Sequence, residues 1–196
     1  MYEDFKRFGR ELFLQGLNSS HSGNMSVRVA DRILITRRGS MLANLTESDI
    51  IETGLEKDDS NVMLASTEIG VHRAIYKATS ALSIIHCHPP YGMALSLLYD
   101  EIVPVDAEGI YYLHRIPVIA ARLTVGSEEV EKILPPVLRD YRAVLLRGHG
   151  AFCIGEMLEE AYQYASALAV ATRIVYLTRL LNKDWLESKM DEAGKW

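Results

Sequence analysis

Ala81-Leu82-Ser83-Ile84-Ile85-His86-Cys87-His88-Pro89-Pro90 is the stretch that decides how this chain is read. An apolar run of strand length ends in two histidines two residues apart, and residues i and i+2 of a strand project from the same face, about 6 to 7 Å apart along the backbone. Cys87 then points the other way, as a small buried apolar residue. Neutral imidazole is the commonest protein ligand for zinc and its neighbours, although histidine pairs on strands also serve as hydrogen-bonded core or surface residues. Leu145-Leu146-Arg147-Gly148-His149-Gly150 offers a third imidazole, where the apolar run 143–146 ends in a histidine between two glycines. Three histidines without a fixed fourth ligand describe a catalytic rather than a structural zinc site, because the ion keeps a position open for water or substrate.

The composition bounds what such a site can belong to. At 196 residues, 48% hydrophobic and 24% charged, the chain is long enough for one sizeable core and short for two, so a single domain over residues 1–196 is expected. A net charge of -5 and a pI near 5.7 give no broad basic field, and the small cluster Arg37-Arg38 does not supply one. No nucleic-acid partner is expected. The two cysteines, Cys87 and Cys153, sit in no metal-finger or redox spacing, which fits a reducing, cytoplasmic setting. No signal-like segment opens the sequence and no uncharged apolar run approaches the roughly 20 residues of a membrane span. A soluble protein without a membrane partner is expected.

Along the chain, helical and extended patterns alternate. Residues 2–16 carry Phe5, Phe8, Leu12 and Phe13 on one helical stripe that Gly16 stops. A polar turn over 18–24 leads into Met25-Ser26-Val27-Arg28-Val29 and Arg32-Ile33-Leu34-Ile35-Thr36, a short antiparallel pair. Residues 45–50 read as a helical turn leading into Ile51, and 56–61 as a charged loop. Ser66 or Thr67 caps a helix reaching about Thr79, with Glu68 in its first turn against the helix dipole. Helical spacing resumes over 91–99, 103–109 reads as a turn-rich connection, 116–120 as an apolar strand, and 128–138 as a helix interrupted by Pro135-Pro136. A long last helix over 156–181 packs on the core. In the tail, Trp185, Leu186 and Trp196 either cover a neighbour in an oligomer or lie disordered. His21 and His72 read as surface or hydrogen-bonding residues rather than ligands.

Three further stretches have the marks of an anion site. Ser22-Gly23-Asn24, Arg38-Gly39-Ser40 and Ala65-Ser66-Thr67-Glu68 each offer unhindered backbone N–H groups with hydroxyl, amide or guanidinium donors, and the third opens a helix. Singly, each is also an ordinary turn or cap. Taken in order, Ser22-Gly23-Asn24-Met25-Ser26-Val27-Arg28, Ile35-Thr36-Arg37-Arg38-Gly39, Ser66-Thr67-Glu68, His86-Cys87-His88-Pro89 and Arg147-Gly148-His149-Gly150 resemble the class II aldolase/adducin family, with coverage from about residue 9 to 176. Within it the chain is most similar to the short fuculose-phosphate aldolases.

That resemblance implies an α/β fold, a three-layer alpha/beta/alpha sandwich with a mostly antiparallel central sheet. It implies one zinc ion per subunit on His86, His88 and His149, and Glu68 as the acid/base that also approaches the metal. It places Gly23, Asn24, Arg38, Gly39, Ser66 and Thr67 around a sugar phosphate. It implies a homotetramer with sites at subunit interfaces, and an aldehyde-lyase that cleaves a ketose 1-phosphate of the L-fuculose type to dihydroxyacetone phosphate and an aldehyde by a retro-aldol step. Two features depart from the family pattern. The tyrosine that relatives bring from the segment matching 104–117 corresponds to Tyr111 or Tyr112, each of which equally reads as ring packing. Arg38 stands where many relatives carry a small hydroxyl or other short residue, which fits an anionic ligand. Sister activities remain open: a sugar-phosphate 4-epimerase that re-closes the bond, or a dehydratase that expels water. Glutamate at position 68 favours aldolase or dehydratase. A non-catalytic adducin-like oligomeric module is the reading of a different class, and retention of the three histidines and Glu68 weighs against it.

Overall fold

The computed structural model describes residues 1–181; Trp185, Leu186 and Trp196 lie outside the described residues. The strands are β1 (Asn24–Val29), β2 (Arg32–Thr36), β3 (Ile50–Gly54), β4 (Ser83–Cys87), β5 (Glu101–Ile102), β6 (Ile116–Ile119), β7 (Ala143–Leu146) and β8 (Gly150–Gly155). They form one sheet in the order β3-β2-β1-β4-β8-β7-β6-β5. Every pairing is antiparallel except that of β6 with β7. The α-helices are α1 (Tyr2–Leu14), α2 (Ile69–Ala78), α3 (Pro90–Ser96), α4 (Ala107–Leu113), α5 (Glu128–Val137) and α6 (Leu158–Leu181).

Period-two alternation along the central strands sorts their side chains into two cores. Ile85, Cys87, Leu145, Ala151 and Cys153 pack with Phe5 and Leu12 of α1, Leu95 of α3, Leu113 of α4 and Leu168 of α6. Ile84, Val144, Leu146, Phe152 and Ile154 pack with Val71 and Ile75 of α2 and Val130 and Leu134 of α5. The sheet thus lies between two helical layers, the mostly antiparallel three-layer sandwich that the family resemblance implies. Because both faces are covered, β4, β7 and β8 are buried at every position, and their sequences are almost continuously apolar.

Several local expectations change. A tight turn over 147–149 leads straight into strand β8 at Gly150, and β3 continues from the helical turn before Ile51. The segment expected to be only a connection folds from Ala107 into α4, because the Asp106 carboxylate accepts from Gly109 N at 2.8 Å and caps it. Helix α5 runs through Pro135 and Pro136 to Val137. Both prolines lie in its last turn, where they forfeit only bonds to the carbonyls of Glu131 and Lys132.

One polar joint ties α2 to the sheet. Ser26 Oγ lies 2.6 Å from His72 Nδ1 and 2.6 Å from Tyr76 Oη, and all three side chains are buried. Burial holds the His72 imidazole down from 6.5 to about 3, against a smaller upward pull from Glu68. The native state therefore refuses a proton that the unfolded chain accepts. Above pH 6.5 this costs nothing; as pH falls from 6.5 towards 3, stability is lost at about 1.4 kcal/mol per pH unit. In denaturant titrations of metal-free protein, His72→Gln is expected to lose about 2 kcal/mol less than the parent between roughly pH 7.5 and pH 5. Parallel stability curves for the two proteins would show that His72 is not buried neutral.

Candidate metal centre and active-site cleft

β4 presents His86 on the α2 side of the sheet, opposite to Cys87, and His88 follows just past the strand end. His88 is pinned by its backbone N–H, which donates to the Leu17 carbonyl at 2.6 Å and approaches Asn18 Oδ1 at 3.3 Å. Pro89 and Pro90 then turn the chain into α3, where a missing N–H costs no helical bond. The His86 ring stacks on Phe152 with centroids 4.2 Å apart, and its Nδ1 donates to the Ala151 carbonyl at 3.0 Å. A carbonyl can only accept, so Nε2 of His86 is bare. It faces Nε2 of His88 at 2.9 Å.

His149 arrives from the turn between β7 and β8, whose 146-to-149 backbone bond measures 2.9 Å. That turn is anchored on α3: Gly148 N donates to Ser96 Oγ at 2.9 Å, and Arg147 donates to the Ser96 carbonyl at 2.7 Å. The next residue has to be glycine for room. A Cβ on Gly150 would lie 2.5 Å from the Cys87 carbonyl, 2.7 Å from His88 Cδ2 and 2.9 Å from His86 Cε1. The ligand-type atoms of His86, His88 and His149 all lie within 4.8 Å of one another. Burial, reinforced by the neighbouring imidazoles, holds His86 and His88 down to about 3, so both are neutral near pH 7.

Glu68 is not inside the first turn of α2 but caps it, and its side chain makes no capping bond. Freed from that role, the carboxylate turns to the histidines. Oε2 accepts from Asn24 Nδ2 at 3.0 Å and lies 3.4 Å from His86 Nε2, while Oε1 lies 4.0 Å from His149 Nε2. Glu68 is 2% exposed, and Oε1 has no hydrogen-bond partner among the described residues. Three neutral-type nitrogen donors beside a buried, half-satisfied carboxylate fit a zinc-like ion on the chemistry of the donor set.

Gly23, Asn24, Arg38, Gly39, Ser66, Thr67 and Glu68 line one cleft of about 230 Å³ together with the three histidines. Gly23, at φ +77°, lets the first loop approach the His86 carbonyl, which a Cβ would meet at 2.7 Å. The second and third loops are joined by a bridge between Arg37 and Ala65 and by Ser66 N donating to the Thr36 carbonyl at 3.1 Å. Arg37, His21, Ser22, Ser40 and Val125 also line the cleft. Their neighbourhood to the motifs signals the first four; nothing in the sequence around Val125 does. Tyr111 and Tyr112 lie elsewhere. Tyr111 is 74% exposed on α4 and lines a separate hollow with Val105 and His114, and Tyr112 packs edge-on to Tyr164 with centroids 6.5 Å apart.

Residues 3–176 match the family described as Class II Aldolase and Adducin N-terminal domain. The chain belongs to the class II aldolase and adducin family. Among its members, the L-fuculose phosphate aldolase of Methanocaldococcus jannaschii is 29% identical over 188 residues, covering 92% of this chain and 98% of that protein. The enzyme of the same name from Escherichia coli K12 is 31% identical over 189 residues, covering 93% of this chain and 85% of that protein. The crystal structure of L-fuculose-1-phosphate aldolase from Thermus thermophilus superposes with a TM-score of 0.88 at 39% identity, covering 92% of this chain and 94% of that one.

The space needed at Gly150 gives a test of the class II aldolase cleft that touches no ligand atom. Gly150→Ala is expected to push the His86 and His88 rings apart and weaken zinc affinity by about 10- to 100-fold, measured by chelator competition. Unchanged affinity in a folded variant would show that the rings are not held where the backbone leaves room for them.

Proposed function

We propose that this family member is a zinc-dependent aldolase that cleaves a ketose 1-phosphate of the L-fuculose type into dihydroxyacetone phosphate and an aldehyde such as lactaldehyde. The observation that carries the reading is the buried Glu68 carboxylate, 3.4 Å from His86 Nε2, at the floor of the cleft whose walls offer anion-type donors. Aldolase-named relatives across nearly the whole chain support it. His86, His88 and His149 would hold the ion. Bound there, it supplies a Lewis acid that polarises a carbonyl and spreads the negative charge released when a carbon–carbon bond breaks.

The chain's own residues do the rest. In the cleavage direction the hydroxyl on the departing carbon gives its proton to water as the carbon–carbon bond breaks and the aldehyde forms, and the Glu68 carboxyl gives a proton to the carbon left behind; in condensation its carboxylate takes that proton away and the new alkoxide is protonated by water. Asn24 fixes the carboxylate by donating to Oε2. Gly39 and Thr67 present backbone N–H groups and Ser66 its hydroxyl to a phosphate just before α2, and Arg38 adds a guanidinium. Cys87 and Cys153, both buried and free, suit a cytoplasmic setting in which thiols stay reduced.

A homotetramer with sites at subunit interfaces is part of the proposal. Leu97 at 62%, Leu98 at 72% and Tyr111 at 74% exposure support it, since they form apolar surface around α3 and α4. A second copy would then complete the aldehyde end. Light scattering at micromolar concentration is expected to report a tetramer; a fully active monomer would remove the interface from the account.

Metal analysis is expected to find about one divalent ion per chain, lost or greatly weakened in His149→Ala. Full occupancy and full activity in that variant would rule out the ligand set. Glu68→Gln is expected to retain the ion and lose about 10²- to 10⁴-fold in the rate of carbon–carbon cleavage. Release of dihydroxyacetone phosphate separates the aldolase from an epimerase or dehydratase, which return an epimer or lose water. A Glu68→Gln protein that cleaves at the parent rate would reduce Glu68 to a helix-terminus carboxylate.

A further inference from the structure

Beneath α2 lies a run of buried polar groups that the proposed chemistry leaves unused. Ser26, His72 and Tyr76 are at most 1% exposed, and Ser26 Oγ stands between the other two, 2.6 Å from each. Each of the three groups carries one mobile hydrogen, so the run can be ordered in two ways. In the first, Tyr76 donates to Ser26, Ser26 donates to His72 Nδ1, and the ring hydrogen sits on Nε2. In the second, His72 Nδ1 donates to Ser26, Ser26 donates to Tyr76, the phenolic hydrogen has no acceptor and Nε2 is a lone pair without a donor. The first order leaves one buried group unpaired and the second leaves two. Unpaired buried polar groups forfeit their solvation, so the first order prevails.

His72 Nε2 is therefore a buried N–H without a partner among the described residues. A matching acceptor stands at the capping position of the same helix. Glu68 Oε1 is buried and equally without a partner, and Glu68 and His72 are four residues apart, the spacing that brings side chains together on one helix face. The opposite strand is arranged to match: Asn24 and Ser26, two residues apart on β1, hold Glu68 Oε2 and His72 Nδ1.

We propose that His72 is a positioning residue for Glu68: its Nε2–H, fixed in that tautomer by Ser26, takes the Oε1 side of the carboxylate while Asn24 takes the Oε2 side. The carboxylate as seen leans on His86 and His149. Rotation of the side chain brings Oε1 back to His72 when a substrate fills the space against the histidines. Glu68 then faces the reacting carbon in one orientation instead of several. The proposal rests on Glu68 being the acid/base group.

The test uses zinc-loaded protein and has two arms. In the kinetic arm, His72→Phe keeps a ring and removes both nitrogens, and His72→Gln restores an amide donor. The phenylalanine variant is expected to lose about 10- to 100-fold in kcat, with KM and zinc content within about twofold of the parent, and the glutamine variant to recover most of the loss. The second arm needs no turnover. Nitrogen-15 imidazole spectroscopy of the parent saturated with dihydroxyacetone phosphate, which fills the space against the histidines, is expected to show His72 protonated on Nε2, to lose that state in Ser26→Ala, and to show a shifted His72 Nε2–H resonance in Glu68→Gln. A His72 proton on Nδ1, or a resonance indifferent to Glu68→Gln, overturns the proposal. So does parent-level kcat in His72→Phe. Should the parent cleave no ketose phosphate, the spectroscopic arm still decides the proposal, and the failure belongs to the proposed activity.

Discussion

β4 is held between β1 and β8, and the register of those two pairings is the constraint on which the rest of the site depends. Asn24 stands across from His86 on one side and Phe152 on the other. The same register lets Ala151 accept from the His86 ring and lets Phe152 lie flat against it. A slip of one residue would turn His86 into the apolar layer under α6 and put Ile85 or Cys87 in its place. Fully buried Ile84 and Ile85 oppose such a slip, since burying an isoleucine stabilises by roughly 1.5 to 3 kcal/mol and both would have to find new neighbours.

From that strand end the site assembles by short connections. The tight turn into β8 returns His149 to the same corner, and α2 starts there with its capping position occupied by a carboxylate that does not cap. A helix start normally offers its unpaired N–H groups to its own side chains. Here Glu68 is drawn to Asn24 and His86 instead, and Ser66 takes the first N–H groups, accepting from Glu68 N at its Oγ and from Ile69 N at its carbonyl.

The legible part of this molecule in its sequence is the part where chemistry and spacing coincide. His86 and His88 two apart at a strand end, His149 between glycines, and three donor-rich turns gave both the cleft and, through the family likeness, the layered fold. The hidden parts had no such coincidence. β8, Gly150-Ala151-Phe152-Cys153-Ile154-Gly155, is buried on both faces and bounded by glycines, so neither alternation nor a polar boundary marks it as a strand. α4 has only seven residues and begins beside Pro104, and its signal was the Asp106 cap followed by Glu108. Pro135 and Pro136 mislead because position within a helix, not presence, sets their cost. Val125 reaches the cleft from a loop whose approach depends on tertiary packing, with Gly126 set closely against the Thr67 carbonyl.

The central claim is that β4 and the turn before β8 bring three imidazoles, and no thiol, to one ion. X-ray absorption spectroscopy of the zinc-loaded protein tests this most directly. The account predicts a first shell of nitrogen and oxygen alone at about 2.0 to 2.1 Å, with the outer-shell scattering of imidazole rings. A sulfur neighbour at about 2.3 Å would put Cys87 on the ion and contradict the strand orientation on which the whole site is built.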